Sequence, residues 1–152
     1  MAASVYDMVA KFKKKYPLTI GWRYRKNASV IAKHLNKGEY VQYAFIAQKN
    51  NSPLNILGSA VVALTNKRIM IGRKRVVIGY FLDSITPDMF NDLKVVGGLI
   101  WGKVFIDTAK EFITLSNISN DALAEIETNI SSYMIEQKKL YNEVEVNCER
   151  PC

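Results

Sequence analysis

Apolar positions change their spacing once along this chain, near residue 38, and that change divides it. Before it, Val5, Met8, Val9, Phe12 and Tyr16 recur at helical intervals, and Ser4 followed by Asp7 has capping-box spacing, so a helix is expected over residues 4–15, ended by Pro17 and Gly21. A second helix is expected from Asn27 to Leu35, with Ala28, Ile31, Ala32 and Leu35 on one face and Asn36-Lys37-Gly38 as its break. From Glu39 the period becomes two. Val41, Tyr43 and Phe45 alternate with Gln42 and Ala44, a loop follows at Asn50-Asn51-Ser52-Pro53, and Ile56 to Leu64 reads as the next strand. Further strands are expected over Arg68 to Gly72, Arg75 to Leu82, Met89 to Val96, Leu99 to Asp107 and Glu111 to Leu115, which makes seven. Asn120 or Asp121 should then cap a helix with Leu123, Ile126, Ile130 and Met134 on one face, running to about Lys139.

Seven short strands and a terminal amphipathic helix describe an α+β, mainly β fold: an antiparallel bent sheet or open barrel capped by the C-terminal helix, with an N-terminal helical arm. The expected division is an arm over 1–38, a domain over 39–140 and a polar, disordered tail over 141–152. Two strands, Val76 to Leu82 and Leu99 to Ile106, are apolar on both faces, so their outward set, Val77, Phe81, Trp101 and Phe105, needs a cover. The arm's stripe of Val5, Met8, Val9 and Phe12, on this chain or a neighbouring copy, is the expected cover.

Composition narrows the class. At 152 residues with 49% hydrophobic and 23% charged content, a single domain can bury a core without staples. The only cysteines, Cys148 and Cys152, fall at the very end, which excludes a disulfide framework and leaves a frayed end with incidental thiols as the preferred reading. No stretch approaches the roughly 20 apolar residues of a membrane span, and no charged-then-apolar leader opens the chain, so a cytoplasmic protein is expected. The net charge of +7 is uneven: residues 1–40 carry nine Lys or Arg against two acids, and residues 111–152 carry three against eight. Such a chain can attract anionic partners or its own opposite end on another copy.

The stretch Leu64-Thr65-Asn66-Lys67-Arg68-Ile69-Met70-Ile71, preceded by Gly38-Glu39, resembles the short bacterial pleckstrin-homology (PH) domains over about residues 38–139. Gly102-Lys103, Ile106-Asp107-Thr108 and Ile113-Thr114-Leu115 are similar to that family's final strand pair. The resemblance implies a binding or self-associating module without catalytic residues, metal or cofactor. It does not name a ligand. Phosphoinositide-binding relatives of the fold use cations in the loop between the first two strands, where residues 48–55 offer only Lys49.

Enzyme chemistry has little to build on, with one histidine, His34, read as a solvent-facing helix residue, and no clustered nucleophile. Two basic clusters remain as contact candidates. Trp22-Arg23-Tyr24-Arg25-Lys26 interleaves rings with cations, and Arg73-Lys74-Arg75 lies at an expected hairpin tip one turn beyond Lys67 and Arg68. The functional expectation is a non-enzymatic domain making protein contacts or self-associating, with anionic lipid or single-stranded nucleic acid as the alternative partners.

Overall fold

A computed structural model describes residues 3–49 and 58–149. Residues 50–57, with the expected start of a strand at Ile56, and residues 150–152, with Cys152, lie outside that description. The order is α1 (Val5–Lys15), α2 (Tyr24–Lys33), β1 (Val41–Gln48), β2 (Ser59–Thr65), β3 (Ile69–Lys74), β4 (Tyr80–Ile85), β5 (Phe90–Val96), β6 (Trp101–Thr108), β7 (Phe112–Ser119) and α3 (Leu123–Glu149). The strands form one antiparallel sheet in the order β4-β3-β2-β1-β7-β6-β5. Its two halves join through a single described pair, Gln48 with Ser116, so the sheet bends sharply there and the fold is the α+β open barrel expected, closed by the terminal helix.

The capping box forms as its spacing dictates: the Ser4 side chain accepts the Asp7 N–H, and the Asp7 carboxylate accepts the Ser4 N–H. Val5, Val9 and Phe12 are buried on the core side of α1, where Phe12 meets Phe45 of β1 at a ring separation of 6.1 Å. Strand β2 is buried along its whole length, which requires cover on both faces. One of those faces carries Ile46, Val61 and Gly72 in cross-strand register, and the arm covers it. At Gly72 a side chain would come within 2.8 Å of Ile31 Cδ1 and 3.2 Å of Val30 Cβ, so any larger residue there would force Ile31 to move or α2 to shift on β3. Gly21 makes an equally close approach to Ile46.

The helices of the arm therefore pack on the first half of the sheet, while its residues 18–20 reach the second half, where the Ile20 N–H donates to the Asn117 carbonyl and the Ser119 N–H donates to Thr19 Oγ1. Val77 is in no strand: Arg75 N–H bonds to the Gly79 carbonyl, Gly79 takes φ +90°, and Val76-Val77-Ile78 forms the tip of the β3–β4 hairpin. An unbroken β-branched run concealed that turn, and the strand expected from Arg75 begins at Tyr80. Phe81 lies beneath the guanidinium groups of Arg73 and Arg75, Phe105 stacks on Phe112 at 5.6 Å, and the Trp101 indole N–H donates to the Leu18 carbonyl at 2.7 Å.

Other boundaries also move. Helix α2 begins three residues early, after Arg23 in the left-handed region at φ 57°. A turn of 3-10 helix, Asn120–Ala122, leads into α3, because the Asn120 side chain bonds both backbone groups of Gly98 and is not free to cap. Helix α3 runs on to Glu149, past the expected end near Lys139, so the segment read as a disordered tail is helical that far. Leu140, Tyr141 and Val144 extend the stripe begun by Ile126, Ile130 and Met134, which accounts for its continuation.

Candidate interaction face

Arg68, grouped with the hairpin cations by sequence spacing, serves the fold. Its Nε meets Glu39 Oε1 at 3.0 Å, and its terminal nitrogens reach Glu39 Oε2, the His34 carbonyl and the Ser84 hydroxyl. Burial alone would raise the Glu39 carboxyl. The Arg68 guanidinium, the Asn36 N–H and the Thr65 hydroxyl outweigh it and hold that carboxyl below its ordinary value. Thr65 Oγ1 also accepts the Lys67 and Arg68 N–H groups, while the Asn66 amide bonds the Tyr40 N–H and the Gly38 carbonyl. The Gly-Glu pair and the Leu-Thr-Asn-Lys-Arg turn thus make one polar lock between the arm, β1 and β3. His34 belongs to its surroundings too, its Nδ1 2.7 Å from the Val30 carbonyl and its ring against Tyr80.

Lys67 stays exposed at the opposite end of β3 from Arg73, Lys74 and Arg75, so these five cations do not form one patch. What the fold does bring together are the two clusters that are distant in sequence. Asn27 is buried, donates to the Ser59 carbonyl at 2.9 Å and accepts the Lys74 N–H at 2.9 Å, which pins the first turn of α2 to the end of β3. Arg23, Arg25 and Lys26 accordingly flank the hairpin that carries Arg73, Lys74 and Arg75, and residues 22–27 and 73–80 contain no acid. Beyond this ring of cations Val77 and Ile78 are 88% and 80% exposed, with Val76 and Tyr80 also exposed beside them. Trp22 is half exposed with Arg23 against its ring at 5.2 Å. Lys49 is committed elsewhere, paired with Asp83 at 2.6 Å.

Val76, Ile78 and Asn27 escaped the sequence reading, although Gly79 between Ile78 and Tyr80 is the punctuation that could have marked the turn. A second feature also went unread. Leu140, Tyr141, Val144 and Glu145 of α3 face Pro87, Asp88, Asn66 and Lys67 across an open groove of about 700 Å3.

This architecture is that of a PH-like interaction domain. The family model described as Bacterial PH domain matches residues 35–146, and the chain belongs to that family. No curated protein matches it. The family is non-catalytic, and among the described residues no cluster of His, Cys, Asp or Glu could hold a metal ion. No helix among them is long and apolar enough to cross a membrane.

Proposed function

We propose that the protein works as a contact module whose working surface is the β3–β4 hairpin with the adjoining start of α2, and whose partner is a protein surface that is apolar at its centre and acidic at its rim. The observation that carries this reading is the tip itself: consecutive aliphatic side chains held in water and ringed by cations from two chain segments. Exposed aliphatic area of that kind is costly unless it is covered in use, and cations from two segments that carry no acid of their own favour an anionic surround. Nucleic acid suits it less well, since the aliphatic tip gains nothing from phosphates and the Trp22 ring is already met by Arg23.

An anionic bilayer is the second reading, favoured by the position of Val76-Val77-Ile78 at a hairpin apex, from which aliphatic side chains can enter lipid. Both are separated by passing the full chain over an immobilised peptide of interspersed glutamate and leucine and, in parallel, over phosphatidylserine-containing vesicles. Retention on the peptide should fall as salt rises, and Val77→Asp or Arg75→Glu should weaken it about tenfold or more. Retention on vesicles alone would establish the bilayer reading instead. Retention that neither substitution alters would exclude the hairpin as the working surface.

A further inference from the structure

We infer that the cleft between α1, the start of β1 and the start of α3 is a binding site for a free amino acid with an apolar side chain. The cleft holds about 350 Å3, a size that suits a small molecule. It lies toward the start of β1, whereas the hairpin adjoins the end of that strand, so the two sites are separate. Much of its wall comes from α1, outside residues 35–146, and the family match does not reach that wall.

Met8, Phe12 and Ala44 give the cleft an apolar floor. One end is closed by polar groups that already satisfy one another: Glu125 accepts Lys15 Nζ on Oε1 at 2.6 Å and the Tyr43 hydroxyl on Oε2 at 2.8 Å. Burial and that carboxylate push the Tyr43 hydroxyl far above its ordinary value, so it stays a donor. The other end is charged and unmatched. Asp7 and Lys11 stand one helical turn apart on the cleft side of α1, a spacing at which an acid and a base commonly pair. They form no ion pair among the described residues, because the capping box draws Asp7 Oδ2 to the Ser4 N–H and hydroxyl at 3.2 and 2.8 Å. Both bonds use the same oxygen, so Oδ1 remains an open acceptor beside the exposed Lys11 ammonium.

Charge balance then selects the ligand. Asp7 and Glu125 offset Lys11 and Lys15, so an ion of one sign gains little: an anion on Lys11 meets Asp7, and a cation on Asp7 meets Lys11. A zwitterion satisfies both groups at once, its carboxylate accepting from Lys11 and its ammonium donating to Asp7 Oδ1. Its side chain is left against the Met8, Phe12 and Ala44 floor, where a polar group would lose water without gaining a partner.

The test is titration of the full chain with L-phenylalanine and L-leucine, followed through the Met8 methyl signal by NMR. Hydrocinnamate, which lacks the ammonium, phenethylamine, which lacks the carboxylate, and L-serine, which lacks the apolar side chain, serve as comparisons. At least one of the two apolar amino acids should give a saturable shift at Met8, and each comparison compound should bind about tenfold more weakly or worse. Lys11→Ala should weaken the binding about tenfold or more, and Lys11→Arg, which keeps the charge, should restore it. Lys11 is exposed, and equal thermal midpoints would verify that both variants fold. Hydrocinnamate or phenethylamine binding as tightly as the amino acid would overturn the zwitterion assignment. No saturable shift at Met8 up to the solubility of either amino acid, or one that Lys11→Ala leaves unchanged, would overturn the site.

Discussion

A chain beginning at Gly38 should fail to fold stably. Removing the arm exposes the face of Ile46, Val61 and Gly72 and takes away Val5, Val9, Phe12, Ala28, Val30 and Ile31, all buried in the full chain. Five of those six are Val, Ile or Phe, and burying each is worth about 1.5–3 kcal/mol before entropy is subtracted. The loss is on the order of 10 kcal/mol, comparable with the whole net stability of a domain. It also strips the lock, since Arg68 loses the His34 carbonyl and Glu39 loses the Asn36 N–H. The check is thermal unfolding and solubility beside the full chain. Because outright failure to fold is uninformative in detail, Phe12→Ala provides the graded version, with an expected loss of about 3–4 kcal/mol by denaturant unfolding. A shortened chain as stable and soluble as the whole would show the arm to be an appendage.

Glu39→Gln should cost on the order of 3 kcal/mol near neutral pH, because it leaves the mostly buried Arg68 guanidinium without its carboxylate. The effect should depend on pH with a definite sign. The folded Glu39 carboxyl titrates below its ordinary value of 4.5, so its stabilisation is fully present above that value and is lost as pH falls through the lower folded value. Wild type should therefore lose its advantage over Glu39→Gln on acidification, the two melting temperatures converging as pH falls below 4.5 and through the lower folded value. Glu125, held low by Lys15 and the Tyr43 hydroxyl against the raising effect of its own burial, adds acid sensitivity to both proteins alike and drops out of the difference. A gap in melting temperature that stayed constant from neutral to acid pH would remove the ion pair from this account.

How legible the molecule was in its sequence depended on how local the deciding interactions were. The capping box of Ser4 and Asp7 and the stripe of Val5, Val9 and Phe12 lie within one turn or one face, and periodicity alone reads them. Strand number survived because polar breaks separate most strands. The turn at Arg75 to Gly79 was hidden because Val76-Val77-Ile78 has strand composition, and its exposure follows from a single glycine at positive φ that spacing does not weigh. Arg68 was grouped with the hairpin cations because charge is visible in a sequence and its partner, 29 residues earlier, is not. The joining of the Arg23 to Lys26 cluster with the hairpin rests on one buried side chain, Asn27, whose two partners lie in β2 and β3. The groove was missed for a related reason: Leu140, Tyr141 and Val144 keep the helical spacing, but the polar residues between them made the segment read as a tail.

The claim that the hairpin is the working surface is tested most directly by methyl NMR of the valine and isoleucine side chains in the full chain. Spectra would be followed as the glutamate-leucine peptide is added. The methyl signals of Val76, Val77 and Ile78 should shift first and furthest as the peptide is added. Shifts confined to the other exposed apolar turn, at Ile100 and Val96, with the hairpin signals unmoved, would contradict it.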